Sequence, residues 1–145
     1  MWSNLSYFKR GKCKRFYDAM EVFAIELFEK KVPNNLQIIV KFTDCRVNGD
    51  CGIGDYEDEF EIRIDRDLDD ETQLVTLAHE MVHVRQRWTG EFREGERGYD
   101  IWHGKKIYSK VTTLKEEHNL PWEKEAYKLE KKLYKKFREI ENGRS

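Results

Sequence analysis

The chain has 145 residues, of which 38% are charged and 13% aromatic, and a formal net charge of −1. That length suits one domain with a modest core, and the composition argues against an intrinsically disordered chain. The near-zero net charge predicts no strong general attraction to nucleic acid or to a membrane.

Charge is nevertheless unevenly spread. Residues 44–71 hold twelve acidic and three basic side chains, and residues 105–138 hold eleven basic and five acidic ones. Lys9, Arg10, Lys12, Lys14 and Arg15 form a short basic run. Solvated surface is the simplest account of these stretches; a basic face for a polyanion is the alternative. The first ten residues contain no apolar leader segment, and no run approaches transmembrane length. A cytoplasmic location with no membrane partner is therefore expected. Cys13, Cys45 and Cys51 are expected to be reduced thiols without a metal role.

Residues 12–30 carry Phe16, Tyr17, Met20, Phe23, Ile25, Leu27 and Phe28 at mostly helical spacing, before Pro33. Leu36 to Phe42 reads as a strand. Residues 43–55, with Asn48-Gly49, Gly52 and Gly54, read as turns or an irregular edge. Phe60 to Ile64 alternates apolar and polar, as a strand with one wet face does. Asp69 and Asp70 then offer N-caps, with Gln73 placed as in a capping box. A helix over about 70–88 follows, with a stripe of Leu74, Leu77, Ala78, Met81 and Trp88, and Gly90 as its stop. Residues 101–111 fit strand or helix. Pro121 suits the first turn of a last helix, whose apolar face is Trp122, Ala126, Leu129, Leu133, Phe137 and Ile140.

His79-Glu80-Met81-Val82-His83 lies on the third of these elements. Residues four apart on a helix sit one above the other, so both imidazoles can grip one ion. Glu80 projects near that ion without having to ligate it. This is the pattern of a zinc hydrolase, with Glu80 as general base. A catalytic zinc takes three protein ligands and leaves a position for water. Glu125, in the first turns of the last helix, and His103, in Trp102-His103-Gly104, are the two main choices for the third. Glu123, on the other side of the stripe, stays open as well. His118 is available, but nothing around it fixes its position.

The stretch Thr76-Leu77-Ala78-His79-Glu80-Met81-Val82-His83 resembles the active-site helix of zincin metallopeptidases. The helix and short strands before it resemble the SprT-like group. That group implies a third histidine in a His-Gly context, which His103-Gly104 matches. The interval from His83 is longer than that group's, and its cysteine-bearing zinc ribbon is absent. Trp102, Gly104 and Tyr108, followed by Pro121-Trp122-Glu123 and Glu125-Ala126, look like small metallopeptidases carried by bacteriophages. The gluzincin pattern implies a glutamate ligand followed by alanine, as Glu125-Ala126 is, and on that resemblance Glu125 is preferred over His103.

The fold expected is α+β: a single zincin-like domain over residues 1–145. It combines a small mixed sheet, an N-terminal helix, the motif helix and a C-terminal helix. The function expected is a zinc-dependent peptidase acting on a protein or peptide. His103 or Tyr108 would stabilise the oxyanion if Glu125 holds the metal. The alternatives are a SprT-like peptidase for DNA-bound proteins, held by the basic run and the lysine-rich last helix, and a non-catalytic zincin-fold module that binds a partner.

Overall fold

The computed structural model of the protein describes residues 5–8, 14–54 and 58–143. Strand β1 (Leu5–Phe8) leads to helix α1 (Lys14–Leu27). Phe16, Ala19, Met20, Phe23, Ala24 and Leu27 recur every three or four residues on α1, and all are buried. The helix ends where Glu29 and Lys30 turn left-handed (φ 51° and 69°) and the Lys30 N–H donates back to the Ile25 carbonyl at 2.8 Å.

Three strands follow: β2 (Gln37–Thr43), β3 (Gly49–Ile53) and β4 (Glu59–Asp65). Their sheet has the order β1-β2-β4-β3. β1, β2 and β4 run parallel, and β3 closes the edge antiparallel to β4. Pairing Ile38 with Phe60 and Val40 with Ile62 puts these four side chains on one buried face. The stretch read as turns or an irregular edge thus contains an edge strand. Its two glycines hide any strand-like alternation.

Helix α2 (Asp70–Trp88) starts at Asp69, whose carboxylate accepts from the Thr72 N–H at 2.7 Å. Asp70 is not the cap. Gln73 is buried, and its amide donates to the Asp65 carbonyl at 3.1 Å. Gly90 stands just past the end with φ 80°, as a helix stop requires.

Residues 92–108 form a small antiparallel sheet of β5 (Phe92–Arg93), β6 (Tyr99–Trp102) and β7 (Lys105–Tyr108), in the order β5-β6-β7. The strand alternative for residues 101–111 holds as far as Tyr108, as a hairpin. His103 and Gly104 are its turn, both left-handed (φ 48° and 81°), as a two-residue hairpin turn demands. A five-residue helix α3 (Leu114–His118) buries none of its side chains.

Helix α4 (Pro121–Gly143) buries Trp122, Ala126, Leu133 and Phe137, and with them Glu130. It packs on α1 and α2; Phe137 meets Phe23 edge-on at 6.2 Å between centroids. Arg15 ties the three helices together through Glu71 (2.8 Å) and Glu141 (2.7 Å). Among the described residues the result is a mixed α+β fold with four helices and two small sheets. Among the described residues no helix is long and apolar enough to cross a membrane.

Of the basic run near the N-terminus, Lys9, Arg10 and Lys12 fall outside the described residues, as does Cys13. Lys14 pairs with Asp18 at 3.0 Å, and Arg15 belongs to the helix clip. Cys45 and Cys51 are free thiols.

Candidate metal centre

α2 buries an unusual number of polar side chains for a core helix: Gln73, Thr76, His79, Glu80 and Gln86. Buried polar groups need partners, and α4 supplies several. Glu123, Tyr127 and Glu130 lie at i, i+4 and i+7, one face of α4. All three meet the histidines of α2.

Glu123 bridges the two imidazoles. One carboxylate oxygen lies 3.1 Å from His79 Nε2 and the other 3.1 Å from His83 Nε2. The two Nε2 atoms are 3.3 Å apart. His79, His83 and Glu123 are the one group of three metal-ligating side chains among the described residues whose ligand atoms gather within 4.8 Å. The far side of each ring is tied as well. His79 Nδ1 lies 3.1 Å from Glu130 Oε1, and His83 Nδ1 lies 2.8 Å from Gln86 Oε1. A carboxylate and an amide oxygen can only accept, so both Nδ1 atoms donate. Both Nε2 atoms are thereby aimed inward, at each other and at a carboxylate. Three electron-pair donors pointed at one spot call for protons or a cation.

The electrostatics follow. Burial opposes charge on His79, but the bonds to Glu123 and Glu130 outweigh it and raise its pKa to about 10. His83 is raised as well, its burial overcome by Glu123. Burial would lift Glu123, yet the two histidines hold it down at about 2. Glu80 is the exception. Burial pushes its carboxyl up to about 7, against the pull of His83 and His79. Its side chain has no hydrogen-bond partner among the described residues.

Gly49 lets the edge strand approach this spot. A Cβ there would lie 2.6 Å from the Thr76 methyl and 2.7 Å from the Arg63 carbonyl, with the Glu80 Cγ at 3.7 Å. Above the histidines opens a cleft of about 470 Å³, lined also by Val75, Phe92, Leu114, Trp122 and Tyr127.

His79, Glu80 and His83 come together as their spacing implied. The preferred third residue does not join them. Glu125 accepts from Arg85 at 2.6 Å and from Gln86 at 3.0 Å, away from the histidines. Two residues apart on a helix are roughly 200° apart around it, so Glu123 and Glu125 cannot face the same spot. His103 is also elsewhere: it sits half-exposed in the hairpin turn, 3.5 Å from Glu91. Tyr108 is 53% exposed and meets Tyr99 edge-on. His118 does reach the cleft rim, where its Nε2 and the Tyr127 hydroxyl are 2.9 Å apart. Tyr127 in turn packs on His79 with 4.6 Å between ring centroids.

Sequence reasoning missed Glu130, Tyr127 and Gln86. The signal was present in the Glu123-Tyr127-Glu130 spacing, but it hides among the many glutamates and lysines of α4. Comparison with known proteins finds no matching family model, no matching curated protein and no matching solved structure.

Proposed function

We propose that the protein is a zinc-dependent metallopeptidase whose metal is held by His79, His83 and Glu123. The observation that carries this reading is the orientation of the histidines. Glu130 and Gln86 occupy both Nδ1 atoms, so both Nε2 atoms converge with a carboxylate. Metal-binding histidines have just this outer bond. Two imidazoles and one carboxylate suit zinc, with room for a further position on the cleft side. Bound zinc would supply Lewis acidity and lower the pKa of water towards about 7.

The chain's own groups do the rest. Glu80 is buried beside the cluster, its carboxylate without a hydrogen-bond partner among the described residues, a base held ready near neutral pH. It takes the proton of the attacking water and hands it to the leaving amine. Tyr127 and His118 line the cleft and would supply a hydrogen-bond donor to the developing oxyanion. They replace His103 and Tyr108 in that role. The edge strand β3 runs beside the cleft, so an extended peptide can add to it through backbone bonds. Hydrolysis of an unfolded protein such as casein by the zinc-loaded chain, lost in Glu80→Gln with zinc retained, is the expected result. A Glu80→Gln variant as fast as the parent would sink the mechanism.

A second reading, a peptidase for proteins held on nucleic acid, has one observation in its favour. The solvent side of the small sheet carries exposed Tyr99 and Tyr108 beside Arg93 and Lys106. Aromatic rings with cations suit single strands. Labelled oligonucleotide binding that weakens steeply with salt supports this reading; no binding at low salt removes it. The partner-binding module has no comparable observation.

A further inference from the structure

We propose that Glu125 is a positioning residue of the metal centre, acting through Gln86 on His83. The inference rests on the metal reading above and adds a layer to it.

The Gln86 side chain is buried, and each of its three bonds has a defined direction. Its amide nitrogen donates to Glu125 Oε1 and to the Trp122 carbonyl, both at 3.0 Å. Neither acceptor has a hydrogen to give. The amide therefore turns its NH2 towards them and leaves its oxygen facing His83 Nδ1 at 2.8 Å. A reversed amide would set its oxygen against a carboxylate and a carbonyl. It would also offer an N–H to His83 Nδ1, and so move the ring proton to Nε2. That proton would occupy the atom that must bind the metal.

Glu125 is itself held. Arg85 donates to the same Oε1 at 2.6 Å, and a second carboxylate, Glu91, lies 3.2 Å from Arg85 Nε. A line of contacts thus runs from Glu91 through Arg85, Glu125 and Gln86 to one face of His83. The ring tautomer is selected through the hydrogen bonds of Gln86, which Glu125 and Arg85 hold from outside the cluster. The role requires of Glu125 an acceptor oxygen, not a negative charge. A direct ligand would require the charge.

This difference sets the test. Zinc affinity is measured by competition with a chromophoric chelator for the full chain and for Glu125→Gln, Glu125→Ala and Gln86→Leu. The His83 ring N–H is followed by proton–nitrogen NMR in the zinc-loaded forms. Glu125→Gln keeps one acceptor oxygen for both Arg85 and Gln86 and should stay within about twofold of the parent. Gln86→Leu should bind zinc about 10–100-fold more weakly, the usual cost of losing an outer-layer partner. Glu125→Ala should fall between them, about tenfold, because the Trp122 carbonyl still orients the amide. The parent should show a protected Nδ1–H on His83 that exchanges faster in Glu125→Ala. Equal zinc affinity and an unchanged His83 signal in Glu125→Ala would overturn the inference. So would a Glu125→Gln loss as large as that of Glu125→Ala, which would make Glu125 a ligand. If the alanine variant does not fold, Glu125→Met, which keeps the bulk of the side chain and removes its acceptor oxygen, carries the same decision. A parent chain that takes up no zinc overturns the metal reading itself, a distinct result in which all four proteins look alike.

Discussion

The crossing of α2 and α4 and the small sheet β5-β6-β7 both contain histidine, and they restrain it very differently. At the crossing, the His79 and His83 side chains are 11% and 14% exposed, and both nitrogens of each ring are engaged. In the sheet, His103 is 54% exposed and caps a hairpin as a left-handed turn residue. A ligand needs a fixed ring with a lone pair aimed at a shared point. His103 has the residue type without the restraint, so its His-Gly context describes a turn.

Several substitutions can break or sharpen this contrast. The largest effect is expected at the base: Glu80→Gln should lower peptide hydrolysis by about 10²–10⁴-fold while zinc content, measured in parallel, stays at the parent's level. Next, His79→Ala or His83→Ala should weaken zinc by about 100-fold or more, each removing one of the three proposed ligands; His103→Ala should leave zinc affinity as it is. A zinc loss in His103→Ala comparable to that in His83→Ala would erase the distinction between the two regions. Third, Gly49→Val should lower the melting temperature through a clash worth about 1–3 kcal/mol, because the Arg63 carbonyl that it meets is backbone. An unchanged melting curve would mean that Arg63 and Thr76 do not close the space at Gly49.

The smallest effect concerns pH. Burial works to raise the Glu71 carboxyl, but Tyr134 and Arg15 pull it below its ordinary value. A carboxylate lowered in the folded state adds stability above its unfolded pKa, and that stability is lost as the pH falls through the folded value. Urea midpoints should therefore fall as acid protonates Glu71, and Glu71→Gln should flatten that fall slightly. The change is small because Glu71 is half-exposed. An equal acid response in the two proteins would remove the pair from the account.

Much of the fold was legible. α1, β2, β4, α2 and α4 announced themselves by periodicity, because burial of one face imposes it. The motif histidines were legible for the same reason: a helix brings i and i+4 together without help from elsewhere. The third member of the cluster was not. It depends on how α4 rotates against α2, which long-range packing of Ala126, Leu133 and Phe137 decides. The apolar stripe left Glu123 and Glu125 flanking it on opposite sides, and the Glu125-Ala126 pair pointed to the wrong one. β3 and β5 were hidden by glycine and by brevity.

The claim at the centre is that Glu123, and not Glu125, completes the site with His79 and His83. Zinc stoichiometry and affinity of Glu123→Gln and Glu125→Gln, measured against the parent chain, test it most directly. The account predicts one zinc per parent chain, a loss of about 100-fold in affinity for Glu123→Gln, and near-parental binding for Glu125→Gln. Retained zinc in Glu123→Gln together with lost zinc in Glu125→Gln would contradict it.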